Sequence, residues 1–221
     1  MLEFCLEFGI AQVTVYAFSQ DNFARPKEEV DNLMLLALRK FEEFVHHESL
    51  VARRGVRVTV LSTSPHLVPP DVRAACHRVQ VATAKNTGAL LNICFSYSGT
   101  AELAQAVSLV SRAVASGEVD KTDVNEALIS RVTTLATGAP DVLVRTSGES
   151  RLSDFLLWHV ADAQVLILAT LWPDLSVLLL GIVLLASAWK PRGARALPPL
   201  SAKATRFVAR VHDERLAEWT M

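Results

Sequence analysis

Arg145-Thr-Ser-Gly-Glu-Ser-Arg-Leu-Ser-Asp-Phe-Leu-Leu-Trp158 decides how this chain is read. Two arginines flank a small turn built on Gly148, and an apolar run follows. The preceding Asp141-Val-Leu-Val144 reads as a strand, and Asp154–Ala163 reads as a helix with Ser153 as its cap. A strand, a cationic loop and a helix start therefore follow one another. Two guanidinium forks can grip phosphate oxygens bidentately. A helix N-terminus adds unpaired N–H groups and the positive end of its dipole. The stretch is thus a candidate diphosphate site. In the competing reading Arg145 and Arg151 are surface ion-pair residues and Glu149 pairs with one of them.

Working outward, the same alternation recurs. Val13–Phe18, Val56–Leu61, Leu90–Phe95, Asp141–Val144 and Val165–Ala169 read as short apolar strands. Between them lie helical patterns. One starts behind Pro26, with Glu28 and Glu29 in its first turn and Val30, Leu33, Met34, Ala37, Leu38 and Phe41 at helical spacing. Others cover Asp71–Ala84, Ala101–Ala115 and Asp123–Leu135, the last with a cap at Thr122. Strands alternating with helices predict an α/β fold with a mostly parallel central sheet surrounded by helices. The first eight residues read as the end of an amphipathic helix closed by Gly9. A sheet of this kind needs more cover at its front, so the domain is expected to be N-terminally truncated, its first strand and loop missing or lying elsewhere.

The predicted organisation is a domain over 1–189, a basic Pro-rich linker over 190–200, and a short C-terminal helix over 201–221 carrying Phe207, Val208, Val211 and Leu216 on one side. Leu175–Trp189 is very apolar but too short to span a bilayer comfortably, and reads as a buried or membrane-contacting helix. The chain has 221 residues, 51% of them hydrophobic and 20% charged, with a net charge of -1. That composition excludes disorder and a general nucleic-acid binder. Cys5, Cys76 and Cys94 are far apart and form no CxxC, so buried thiols are expected rather than a zinc or redox motif. The histidines show no ligand spacing.

In an open parallel sheet, ligands sit beyond the carboxyl ends of the strands. Three loops fall there. Ser19-Gln-Asp-Asn-Phe-Ala-Arg25 offers a hydroxyl, an amide, an aromatic ring and a guanidinium; in the bland alternative Asp21 and Asn22 only shape a turn and Arg25 is solvated. Ser96-Tyr-Ser-Gly-Thr-Ala101 offers serines and a flexible Gly99. Arg145–Asp154 is the third.

The long stretch Val15-Tyr-Ala-Phe-Ser-Gln-Asp-Asn-Phe-Ala-Arg-Pro-Lys-Glu-Glu-Val-Asp-Asn-Leu-Met34 resembles the cis-prenyltransferases. So do Leu91-Asn-Ile-Cys94, the Arg145–Trp158 stretch, and Leu171-Trp-Pro-Asp174. The resemblance runs from Leu2 to Leu175. The Ser-Gly-Glu and Leu-Ser-Asp variants are most similar to eukaryotic dehydrodolichyl diphosphate synthases; the bacterial relatives are undecaprenyl diphosphate synthases. It implies condensation of isopentenyl diphosphate with an allylic diphosphate such as farnesyl diphosphate, giving long-chain polyprenyl diphosphate for dolichol synthesis. It implies Mg2+ as cofactor. It also implies a homodimer or a heteromer with a homologous subunit, peripheral membrane contact, and a place at the cytoplasmic face of the endoplasmic reticulum or in the cytoplasm.

Carried over by position, the resemblance gives Ser19 and Asn22 the arrangement of substrate and proton transfer. Phe23 takes the aromatic place beside both substrates, and Arg25 the allylic diphosphate. Arg145, Arg151 and Ser153 take the isopentenyl diphosphate, while Leu33, Leu36 and Phe41 line or back a tunnel for the growing chain. The family's opening Met-Asp-Gly-Asn-Arg-Arg loop, whose aspartate holds magnesium, has no counterpart here. Gln164 stands where many members have a magnesium-contacting glutamate, Thr100 replaces an arginine, and His159 replaces a frequent glutamine. The departures leave a second expectation: a catalytically impaired or noncatalytic subunit of a prenyltransferase complex.

Overall fold

A computed structural model describes residues 2–135, 138–188 and 197–220. The helices are α1 (Leu2–Glu7), α2 (Lys27–Val45), α3 (Leu50–Arg53), α4 (Pro70–Thr83), α5 (Gly99–Ala115), α6 (Glu126–Val132), α7 (Val177–Ala188) and α8 (Ala202–Ala217). The strands are β1 (Gln12–Ser19), β2 (Arg57–Leu61), β3 (Leu90–Tyr97), β4 (Val142–Arg145) and β5 (Gln164–Ile167). The chain divides into two compact units, Met1–Ala101 with Arg210–Met221, and Glu102–Ala209.

The first unit is built on a parallel sheet in the order β1-β3-β2. Gln12 and Arg57 both pair with Leu90, so the three strands start level. Central β3 is buried almost end to end, as a parallel strand covered on both faces must be. Its one interior amide, Asn92, donates to the Thr14 hydroxyl at 3.2 Å. Edge strand β2 is closed off by α4. Val58 N–H donates to the Thr83 hydroxyl and Val60 N–H to Gln80 Oε1, each at 3.0 Å. Side chains thus satisfy ladder groups that would otherwise invite another chain.

The core combines Phe18, Met34, Phe41, Val72, Ile93 and Phe95 with Trp219, just beyond α8. Phe95 lies 5.5 Å from Phe18 and 5.7 Å edge-on from Phe41, between ring centroids, a spacing that adds to plain burial. Gly88 is fixed by close approach: its N–H donates to Gly55 O at 2.9 Å, and a Cβ there would meet that oxygen at 2.6 Å.

The second unit holds the parallel pair β4-β5, with Val142 opposite Gln164 and Arg145 opposite Ile167. Helix α6 starts at Glu126, later than the expected Asp123. Its cap is Asn125, whose side chain accepts from Leu128 N–H at 3.1 Å, and not Thr122. An Asn side chain in an extended residue satisfies an orphan amide that Thr122, further upstream, does not meet. Lys203 pairs with Asp120 and Ser201 donates to Asp123, each at 2.7 Å, which ties the start of α8 to this unit.

Strand positions agree with the sequence pattern to within a few residues, and both sheets are parallel, as α/β alternation requires. One expected element is absent among the described residues. The stretch 152–162 is a series of turns, not a helix. Ser153, Asp154 and Leu156 have φ of 52, 61 and 49°, and L-residues cannot build a right-handed helix from left-handed backbone. No helix among the described residues is long and apolar enough to cross a membrane. Helix α7 buries Leu180 and Val183 and exposes Leu178, Ile182 and Leu185. Part of the expected 190–200 linker lies outside the described residues.

Candidate functional site

In the first unit, β1 ends at Ser19 and the chain turns into one short 3-10 helix over Gln20–Ala24. A reciprocal cap builds it. Asn22 N–H donates to the Ser19 hydroxyl at 3.2 Å, and Ser19 N–H donates to Asn22 Oδ1 at 3.0 Å. Two backbone donors at the carboxyl end of a strand are thereby satisfied without further chain. The next residue, Phe23, lies edge-on to Phe18 with ring centroids 4.9 Å apart, half-buried. Arg25 is exposed and pairs with Glu29 at 2.5 Å across the start of α2. Ser19, Asn22 and Phe23 therefore lie on one capped turn, with Arg25 at its end. Asn22 has the turn-shaping role of the bland alternative.

Near the end of β3 in the same unit, Ser96 is fully buried with φ 53°. Its carbonyl accepts from Thr63 and Ser64 N–H at 3.2 Å, and its hydroxyl donates to Ser64 O at 2.8 Å. This strained residue is held by the loop after β2, and only a serine-rich turn marks it in the sequence. On α2, Phe41 and Met34 are buried and Leu33 packs partly against the core, whereas Leu36 is 62% exposed. Leu36 therefore does not back the apolar side of α2.

In the second unit, β4 delivers Arg145 to the loop that the sequence singled out. Leu168 N–H donates to Arg145 O at 2.7 Å, Ser147 N–H to Thr170 O at 2.9 Å and Gly148 N–H to Leu168 O at 2.8 Å, so the loop is laced to the segment after β5. Ser147 and Gly148 have φ of 70 and 69°. With Ser153, Asp154 and Leu156 they make an unusual concentration of left-handed backbone, of the kind that persists where surrounding contacts over-determine it. The guanidinium of Arg145 reaches the Ser153 hydroxyl at 3.4 Å through Nη2, and its Nε is buried with no hydrogen-bond partner. A buried cationic donor left without an acceptor is the place an anion would fill. Arg151 is 70% exposed and pairs with Glu149 at 2.6 Å.

The structure thus brings Arg145 and Ser153 together and gives Arg151 the ion pair that the sequence left open. The expected helix dipole behind Ser153 does not exist, because left-handed backbone stands where the cap should be. The groups that could meet an anion here are the Arg145 guanidinium and the Ser153 hydroxyl.

The donor set does not suit a protein-held magnesium. Among the described residues, no group of three or more His, Cys, Asp or Glu side chains could hold a metal ion. Gln164 opens β5 and pairs opposite the first residue of β4, whereas the arginine loop leaves the far end of that strand. A neutral amide is in any case a weaker ligand than a carboxylate for a hard cation.

Comparisons with known proteins give the family and the fold. Residues 1–192 fit the family model described as putative undecaprenyl diphosphate synthase. The dehydrodolichyl diphosphate synthase complex subunit of Homo sapiens is 40% identical over 174 residues, covering 78% of this chain and 52% of that protein. A tritrans,polycis-undecaprenyl-diphosphate synthase of Thermococcus kodakarensis is 39% identical over 175 residues, covering 79% and 66%. The chain thus spans about half the length of the human relative it matches. Among solved structures, lavandulyl diphosphate synthase from Lavandula x intermedia superposes with a TM-score of 0.79 at 23% identity, covering 88% of this chain and 83% of that one. A probable undecaprenyl diphosphate synthase from Campylobacter jejuni gives 0.75 at 24% identity, covering 87% and 86%. Laced arginine loop, parallel strands and family match lead to one assignment: this chain belongs to the cis-prenyltransferases, the family of the undecaprenyl and dehydrodolichyl diphosphate synthases.

Proposed function

We propose that the chain condenses isopentenyl diphosphate with an allylic diphosphate, farnesyl or longer, to give a long-chain polyprenyl diphosphate. The observation that carries this reading is the buried, unpartnered Nε of Arg145 within a strained loop. Arg145, Ser153 and Arg151 hold the isopentenyl headgroup, Arg151 exchanging Glu149 for phosphate. Arg25 takes the allylic diphosphate, and the Ser19–Asn22 turn presents Phe23 and assists proton removal. In the reaction the allylic C–O bond breaks and pyrophosphate leaves. The allylic carbon bonds to the terminal alkene carbon of the second substrate, and a proton is lost. Arg25, exchanging Glu29 for the allylic diphosphate, stabilises charge that grows on the leaving group as the bond breaks, and orientation of the two substrates supplies much of the rest. Magnesium, when bound, would neutralise part of the diphosphate charge.

The test is incorporation of radiolabelled isopentenyl diphosphate into extractable polyprenyl product with farnesyl diphosphate as primer. Product from wild type that falls about 100-fold or more in R145Q supports the reading. Absence of product from the chain alone, with no gain over a full-length homologue's own product when the two are mixed, refutes it.

Gln164 and the donor set favour a second reading, a noncatalytic subunit of a prenyltransferase complex. Stimulation of a full-length homologue that survives the R145Q/R151Q double substitution selects it. Either reading suits a homologous partner or peripheral contact with the endoplasmic reticulum surface. In the second unit Val165, Ile167, Leu171, Trp172, Leu178 and Leu185 are exposed apolar side chains that such a surface would cover.

A further inference from the structure

The second unit contains a buried polar cluster that none of the assigned roles uses. Glu102, in the first turn of α5, is fully buried, and His159 is 4% exposed. Glu102 Oε1 accepts from the Thr134 backbone N–H at 2.8 Å and also from the Thr134 hydroxyl. Its Oε2 faces His159 Nε2 at 3.4 Å, within ion-pair reach but without the alignment of a hydrogen bond.

A carboxylate in such a place is costly to desolvate, and a well-packed apolar group would serve stability as well or better. Its position in the chain suggests another use. His159 closes the arginine loop. The N–H groups of His159 and Val160 both donate to Leu156 O, at 2.9 and 3.0 Å. Leu156 is the last left-handed residue of the loop and is itself buried. One residue earlier, Trp158 Nε1 donates to the Ser130 hydroxyl on α6 at 2.9 Å. Left-handed backbone at Ser147, Ser153, Asp154 and Leu156 relaxes unless its ends are pinned. Trp158 and His159 are the pins at the downstream end.

We infer that Glu102 is a positioning residue: through His159 and Thr134 it fixes the downstream end of the Arg145–Leu156 loop and so sets the affinity of Arg145 and Ser153 for a diphosphate headgroup. This rests on the reading of that loop as the isopentenyl diphosphate site. Displacement of a binding group by a remote change costs on the order of 10- to 100-fold, and that is the expected range.

The experiment uses the full chain and inorganic pyrophosphate as probe, measured by calorimetry, with H159L, H159Q and E102Q beside wild type. H159L removes the group facing the carboxylate. H159Q restores an N–H donor of similar reach and acts as the rescue. E102Q keeps the acceptor for Thr134 and loses the charge. The expected result is a Kd raised about 10-fold or more in H159L and in E102Q, with H159Q within about threefold of wild type. In the transfer assay, H159L raises KM for isopentenyl diphosphate and leaves KM for the allylic diphosphate unchanged, a split that general loosening would not produce. H159L that binds as wild type, or H159Q that loses as much as H159L, overturns the inference. Should H159L not fold, E102Q decides: unchanged affinity at unchanged melting temperature overturns it. Wild type that binds no pyrophosphate refutes the loop reading itself, so the two failures are distinct.

Discussion

Replacing Arg145 by Gln separates binding from folding in one substitution. In the free protein, the guanidinium makes one long bond to Ser153 at 3.4 Å, and its Nε is buried without a partner. Losing that bond costs about 0.5–1 kcal/mol at most, and removing the unsatisfied donor offsets part of it. The melting temperature should therefore move by no more than about 3 °C for a chain of this size. With diphosphate bound, the same group supplies charge-assisted hydrogen bonds worth about 1.5–3 kcal/mol. At about 1.4 kcal/mol per tenfold, the Kd for pyrophosphate should rise about 10- to 150-fold. Arg151 must first give up Glu149 at 2.6 Å, so R151Q should cost less, about threefold to tenfold. Calorimetric titration with a parallel thermal melt gives both numbers. R145Q that binds pyrophosphate within about twofold of wild type, at unchanged stability, would refute the reasoning. A melt that collapses with binding would show a structural arginine instead.

Other consequences are independent of that site. G88A places a methyl 2.6 Å from Gly55 O and 2.7 Å from Arg54 O, both backbone atoms; the clash should cost about 1–3 kcal/mol, read by denaturant unfolding. S19A and N22A each break the reciprocal cap, so each should cost about 1 kcal/mol and the double variant little more than either, a coupling that a double-mutant cycle measures. Burial raises the Cys5 and Cys76 thiols above their usual range of 9.0. A raised value keeps each thiol protonated as pH climbs through the range where an exposed cysteine ionises. Iodoacetamide should therefore leave both unlabelled in native protein up to about pH 9 and label them after denaturation, as mass spectrometry would show.

The strands and longer helices were legible because their patterns are strong. Leu90–Tyr97 is apolar enough to be the central parallel strand that it is, and Pro26 with Glu28 and Glu29 announces α2. Two local features were not legible, for different physical reasons. Asp154–Ala163 carries the spacing of a helix, but spacing says nothing about φ, and Ser153, Asp154 and Leu156 are left-handed. Thr122 lost to Asn125 as a cap because the chain first spends one turn as a 3-10 helix over Lys121–Asp123.

At the site, Arg145 with Ser153 was readable from residue types and order. The pairing of Arg151 with Glu149 was readable only as an alternative. Glu102 was not readable at all: nothing in Thr-Ala-Glu-Leu marks that acid as buried, and its partners His159 and Thr134 come together only in the fold.

The central claim is that the Arg145–Ser153 loop cradles a diphosphate. A crystal structure of the chain soaked with isopentenyl diphosphate tests it most directly. Phosphate oxygens are expected at about 2.7–2.9 Å from Arg145 Nε, with the Ser153 hydroxyl on the same headgroup. A headgroup bound elsewhere, with Arg145 Nε still unpartnered, would contradict it.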